Sequence, residues 1–179
     1  AEARIDLAAL RHNCGELRRR IGPGVELCPV LKADGYGHGA AHCASAAITA
    51  GSDRIAVATA REALQIRAVD SDIPILVLGA LAPGEVEVAV SAGAALSVWD
   101  PDFVEEVERG AAAAGRVVEV HVKYDTGMGR LGNPDPEVVL EVARRVSTSP
   151  QLALEAVWTH FATADESDRG FMDLQRGRL

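Results

Sequence analysis

The chain has 179 residues, a formal net charge of −8 and a sequence pI of about 5.1. Hydrophobic residues make up 48% and charged residues 25%, enough to bury one core. The acidic balance, with no basic run to offset it, argues against nucleic acid and against an anionic membrane surface as partners.

No apolar stretch approaches the ~18 residues a membrane-spanning helix needs. The opening Ala1-Glu2-Ala3-Arg4 leads into a helical pattern and not a signal peptide, so a cytoplasmic protein is expected. Cys14, Cys28 and Cys43 are odd in number and lack C-x-x-C spacing, which fits free buried thiols and neither a disulfide framework nor a zinc site. His12 with Cys14 and His42 with Cys43 diverge on a helix, so no metal is expected.

Taken in chain order, Asp6 can cap a helix running to about Ile21, with Leu7, Leu10, Cys14 and Leu17 on one face. Gly22-Pro23-Gly24 stops it. Val25 to Leu31 suits a buried strand, followed by a helix from His42 to Ala50. Arg54 to Ala58 reads as a strand and Ala60 to Ala68 as a helix. Ile75 to Leu78 is the next strand, and Gly84 to Ala92 the next helix. Ala95 to Val98 precedes a helix over Pro101 to Ala114. Val117 to Tyr124 precedes a helix over Pro136 to Val146. Leu152 to Trp158 is the last strand, and a final helix begins near Asp168.

Strand and helix thus alternate about six times after the first helix. Short apolar strands alternating with amphipathic helices predict a parallel sheet covered by helices, either doubly wound or a (β/α)8 barrel. No G-x-G-x-x-G follows the first strand, which disfavours the dinucleotide-binding version. A barrel has eight units in ~250 residues, so about six units would make an incomplete one.

In barrels the reactive groups sit where strands end. Lys32 ends the first strand in "VLKADGYGHG". A lysine at an apolar barrel mouth loses hydration, which favours its neutral, nucleophilic amine. Such an amine forms a Schiff base with an aldehyde, pyridoxal phosphate being the common case. Gly35, Gly37 and Gly39 let backbone approach a ring or phosphate, and Tyr36 offers a hydroxyl. A solvated lysine before a glycine turn explains the same residues equally well.

On the fifth strand, "VVEVHVKYDTGMGRLG", period two places Glu119, His121, Lys123 and Asp125 on one face and Val118, Val120 and Val122 on the other. Under covering helices the valines face outward and the polar set inward; on an edge strand the polar set faces water. The glycine-flexed turn then presents Arg130, whose guanidinium can fork onto a phenolate or carboxylate. The sixth strand ends in "VWTHFATADE". His160 there can stack on an aromatic cofactor or move a proton, and a satisfied strand-end histidine is the plainer reading. Trp158 reads as core, and His38 and His121 are second-rank candidates.

These segments together resemble alanine racemase. "LKADGYGHG" is similar to the family's cofactor-lysine motif, "VKYDTGMGRLG" to its fifth-strand motif and "THFATADE" to its sixth-strand motif. "RIDLAALRHN", "DRIAVATAREALQIR" and "IPILVLGA" follow the family's order over the whole chain.

The resemblance implies pyridoxal 5'-phosphate held as a Schiff base by Lys32, which is also the base on one face of the substrate carbon. It implies that Tyr36 bonds the cofactor phosphate and Arg130 lies near its phenolic oxygen. Carbamylated Lys123 would orient Arg130, and His160 would sit against the ring. It implies racemisation of L-alanine and D-alanine for cell-wall peptidoglycan, a small amino acid substrate and a homodimeric parent. The family's second base is a tyrosine of a later domain, which neither Tyr36 nor Tyr124 matches. Residues 1–179 therefore read as the N-terminal part of the barrel, lacking the remaining strands and a C-terminal β-domain, with little or no activity alone. A non-catalytic cofactor-binding barrel, a vestigial interaction or structural piece, and a racemase of another amino acid such as serine are the alternatives.

Overall fold

The computed structural model describes residues 2–82 and 84–179; Ala1, at the head of the opening segment, lies outside them. The chain divides into two compact units, 1–95 and 96–179.

In the first unit, α1 (Leu7–Ile21) begins where the Asp6 carboxylate accepts hydrogen bonds from the N–H groups of Ala8 and Ala9, at 2.9 and 3.0 Å. Arg18, Arg19 and Arg20 occupy its last turn, where the helix dipole favours cations. Of the expected face only Cys14 is buried, and Leu17 is half exposed. The unit continues through α2 (Lys32–Tyr36), α3 (Ala40–Thr49), β1 (Ile55–Val57), α4 (Ala60–Arg67), β2 (Ile75–Val77) and α5 (Glu85–Ser91). β1 and β2 pair in parallel, Ile55 with Ile75 and Val57 with Val77.

The segment Val25–Leu31 is not the regular strand its composition predicts. It makes one parallel bridge, Val30 to Ala56, with Leu31 N–H donating to the Ala56 carbonyl and Ala56 N–H to the Pro29 carbonyl. The next donor along that edge is the nitrogen of Pro29, which carries no hydrogen, so the ladder stops. Arg18 secures the segment instead, donating to the Val25 carbonyl and pairing with Asp53, whose carboxylate accepts from Leu27 N–H.

Ala56, Leu76 and Ala95 form a core cluster with Cys28, Val30 and Leu78 against it. On the helix side, α3 buries Ala40, Cys43, Ala44, Ala46 and Ala47, and α4 buries Ala60, Ala63 and Ile66. The helix expected from His42 starts two residues earlier, at Ala40.

β3 (Ala94–Val98) begins in the first unit and ends in the second. The second unit adds α6 (Pro101–Ala114), β4 (Val118–Lys123), α7 (Pro136–Thr148), β5 (Leu152–Trp158) and α8 (Gly170–Arg178). β3 pairs with β4 and β4 with β5, all in parallel. A register shift between Val120 and His121 leaves Glu155 as an extra residue on β5, a bulge. Val118, Val120 and Val122 are buried, as are Val104 and Val107 of α6 and Val139, Val142 and Val146 of α7.

Within each unit the strands lie in chain order, β1-β2-β3 and β3-β4-β5. Progressive winding of this kind builds a barrel; a doubly wound sheet reverses its strand order. The fold is therefore that of a TIM-type (β/α) barrel, represented by five strands and the bridged segment at Val30. Among the described residues, no helix is long and apolar enough to cross a membrane.

Candidate active site

The first unit's candidate segment is the turn that follows the Val30 bridge. Lys32 opens α2, and the next residues are left-handed: Ala33, Asp34, Gly35, Tyr36 and Gly37 have φ of 51°, 53°, 62°, 56° and 80°. Three of these are not glycine. Each such residue costs about 1–2 kcal/mol in this region, so the turn persists only because its surroundings over-determine it. Gly35 N–H donates to the Leu31 carbonyl and Gly37 N–H to the Ala33 carbonyl. The Asp34 carboxylate accepts from Ala40 N–H at 2.8 Å, and the Glu62 carboxylate accepts from Ala33 N–H at 2.7 Å.

The glycines thus serve handedness first. A Cβ on Gly35 would touch the Ala40 backbone and the Cys43 sulfur, while one on Gly37 would meet open space. Lys32 is half-buried, its Nζ 5.8 Å from the centre of the Tyr36 ring. Tyr36 is 58% exposed, so its hydroxyl is available to a ligand.

The second unit's candidate segment is the end of β4. Lys123 is 2% exposed and pairs in register with Trp158, placing its ammonium 3.6 Å from the centre of the indole ring. Burial, and then the Arg130 guanidinium, lower its pKa to about 8, against the opposing pull of Asp125. Burial pushes the Asp125 carboxyl up. Backbone N–H groups of Gly129, Gly127 and Met128, with Lys123 nearby, outweigh it and hold the group below the usual carboxylate range. Gly132 closes the loop at φ 108°; a Cβ there would sit 2.9 Å from the Asp125 nitrogen.

Lys123, Asp125, Arg130 and Trp158 therefore come together, and the period-two reading of β4 holds for its last residues. His121 and Lys123 are buried while Glu119 is exposed. Trp158, read as core, is the surface on which Lys123 rests. His160 is exposed, and its carbonyl accepts from the Gln175 side chain.

Gln175 was not legible as a site residue. It is fully buried, its oxygen accepting from Ala162 N–H at 2.8 Å and its nitrogen donating to Thr126 Oγ1 and the His160 carbonyl. Thr126 also shares a 2.7 Å hydrogen bond with Thr159. Residues after β4 and after β5 are thereby tied through α8. Glu62 was missed as well: it forms a capping box with Thr59 and also reaches the Ala33 N–H.

Residues 5–179 match the family model described as alanine racemase, N-terminal domain. The chain belongs to this family. It is 41% identical over 178 residues to an alanine racemase of Desulforamulus reducens and 39% identical over 177 residues to alanine racemase 1 of Bacillus subtilis. It covers 99% of itself in both alignments but 48% and 45% of those proteins, so it spans under half their length. Among solved structures, alanine racemase from Streptomyces coelicolor superposes with a TM-score of 0.87 at 41% identity, covering 97% of this chain and 47% of that one. A histidine racemase from Leuconostoc mesenteroides superposes at 0.86 with 30% identity, covering 96% and 46%.

Membership in the alanine racemase family implies pyridoxal phosphate, an aldehyde bearing a phosphate, a phenolic oxygen and a ring nitrogen. The residues present fit such a group by their donor chemistry. Lys32 offers a primary amine, Tyr36 an exposed hydroxyl, and Arg130 an exposed guanidinium. In addition, the buried Trp158 indole nitrogen and Ser97 hydroxyl have no hydrogen-bond partner among the described residues, polar capacity that a bound polar group can use.

Proposed function

We propose that this chain carries the cofactor-lysine part of a pyridoxal-phosphate-dependent alanine racemase, and that the whole protein interconverts L-alanine and D-alanine. The observation that carries the reading is the left-handed turn at Lys32. Three strained non-glycine residues, held by two carboxylates, fix the backbone turn that directly follows Lys32. A lysine that merely ended a strand would not need that expense.

When bound, the cofactor supplies an electron sink for the charge left as the α-proton departs. The chain's own residues then have these roles. Lys32 would hold the cofactor through Nζ and, once that amine is freed by the substrate's own amine, would take or return a proton at Nζ on one face of the substrate carbon. Tyr36 would donate its hydroxyl to the phosphate, Arg130 would donate to the phenolic oxygen, and His160 would contact the ring.

Lys123 is read as a carbamate. Its lowered pKa leaves a useful fraction of neutral amine near neutral pH. That amine adds carbon dioxide, forming an N–C bond and releasing a proton. The product is an anion beside Arg130, which turns a like-charge contact into a pair. The second acid-base group, the remaining strands and a C-terminal β-domain belong to the rest of the whole protein, which we read as a homodimer of the cytoplasm supplying D-alanine for peptidoglycan.

A second reading concerns substrate alone. A similar structure is named a histidine racemase, so the same barrel supports a racemase of another amino acid.

The test is to incubate the chain with pyridoxal phosphate, reduce with borohydride and map the label. The sequence holds two lysines, Lys32 and Lys123. Label confined to Lys32 supports the reading; label on Lys123 alone, or on neither, overturns it.

A further inference from the structure

The Glu62 carboxylate does more than a capping box requires. In that motif the glutamate returns one hydrogen bond to the N-cap backbone. Here Oε2 accepts from Thr59 N–H at 3.1 Å and from Ala58 N–H at 2.8 Å, while Glu62 N–H donates to Thr59 Oγ1. Oε1 turns the other way and accepts from Ala33 N–H at 2.7 Å, across 29 positions of sequence. Ala33 follows Lys32 directly and is the first left-handed residue of its turn.

We infer that Glu62 is a positioning residue for Lys32, its carboxylate clamping the lysine's turn to the end of β1 and the start of α4. The inference rests on the reading of Lys32 as the cofactor lysine. One oxygen fixes the scaffold and the other fixes the strained residue next to the amine. The two oxygens are rigidly joined, so the turn cannot relax to a right-handed form without surrendering a charge-assisted hydrogen bond. Leu31 is secured independently by its N–H to the Ala56 carbonyl. Lys32 therefore leaves a fixed point on one side and enters a fixed one on the other.

Glutamine at position 62 separates the two duties. Gln serves a capping box as well as Glu does, but its amide has one acceptor end. With that oxygen on Ala58 and Thr59, the NH₂ end faces the Ala33 N–H, donor against donor. Thr59→Ala does the reverse, weakening the cap and sparing the Ala33 bond.

The experiment compares the 179-residue chain with its Glu62→Gln and Thr59→Ala variants. It measures amide hydrogen exchange at Ala33, the rate of borohydride-trapped pyridoxyl labelling at Lys32, and the melting temperature. Glu62→Gln should speed exchange at Ala33 about tenfold or more, as expected for a lost charge-assisted bond. It should slow labelling at Lys32 several-fold and lower the melting temperature by a few degrees. Thr59→Ala should lower the melting temperature and leave both readouts at 32–33 as they were.

Unchanged exchange at Ala33 in Glu62→Gln overturns the inference, as does equal slowing of labelling by Thr59→Ala. If Glu62→Gln does not fold, the unaltered chain decides: a protected Ala33 amide supports the clamp, and an unprotected one sinks it. Failure of the unaltered chain to label at Lys32 refutes the cofactor reading instead, and exchange at Ala33 still reports on the Glu62 bond.

Discussion

Replacing Lys123 with methionine should stabilise the unmodified chain near neutral pH. The ammonium is 2% exposed, and burial with Arg130 brings its pKa from 10.5 to about 8. At about 1.4 kcal/mol per pH unit, that drop is a penalty of about 3 kcal/mol on the charged form. The Trp158 ring face, 3.6 Å from Nζ, returns up to ~2 kcal/mol. Methionine keeps an unbranched stem and needs no counter-ion, so a gain of about 1–3 kcal/mol is expected.

The sign with pH is specific. Below about pH 8 the lysine is protonated in both folded and unfolded chains, and the full penalty is present. Between about pH 8 and 10.5 the folded chain has released the proton and the unfolded chain has not, so wild-type stability climbs relative to the variant. Near pH 10.5 the penalty is gone. Urea unfolding of both chains in carbon-dioxide-free buffer across this window gives the difference directly. Added bicarbonate near pH 8 should then stabilise the wild type and not the variant, because only the wild type can form a carbamate opposite Arg130. A wild-type-minus-variant difference that stays flat with pH would refute the reasoning.

Gln175→Leu should cost about 3 kcal/mol, since it removes the side-chain partner of the Ala162 N–H and of the His160 carbonyl and leaves the Thr126 hydroxyl with Thr159 alone. Denaturant unfolding measures it, and a loss under ~1 kcal/mol would mean that α8 does not tie the two strand ends. Burial, against the weaker pull of Arg54 and with a push from Glu26, raises the Cys28 thiol to about 11. Its reaction with a disulfide reagent near pH 8 should therefore be on the order of a hundredfold slower than that of free cysteine. Reaction at the free rate would show the residue open to water.

Much of this fold could be read from residue patterns because its local signals agree. Asp6, Thr59, Asp100 and Asp135 each cap the helix that follows them, and the caps sit where apolar periodicity begins. Val118, Val120 and Val122 declared their face by alternation alone. The first strand was misread for a reason within a single residue. Val25–Leu31 has a strand's apolar character, but Pro29 withholds the one donor that would extend the ladder beyond Val30.

The site was legible only where chemistry and strand ends coincide. Lys32 and Lys123 lie three and four residues before a glycine and Arg130 directly after one, and glycines mark unusual backbone. Glu62 and Gln175 lie inside ordinary helical sequence, and their partners are 29 and 49 residues away. Neither distance leaves a trace in periodicity or composition. What such residues share is satisfaction: Glu62 uses both carboxylate oxygens on backbone N–H groups, and Gln175 uses its amide on two backbone groups and the Thr126 hydroxyl. A carboxylate or amide so engaged holds geometry without touching substrate. In a barrel whose reactive groups arise from separate strand ends, such residues carry relative position. The left-handed turn shows why that matters. Ala33, Asp34 and Tyr36 resist their own conformation, and the carboxylates of Asp34 and Glu62 make it the stable one. The strain at Lys32 and the helix cap at Thr59 are thus two ends of one interaction.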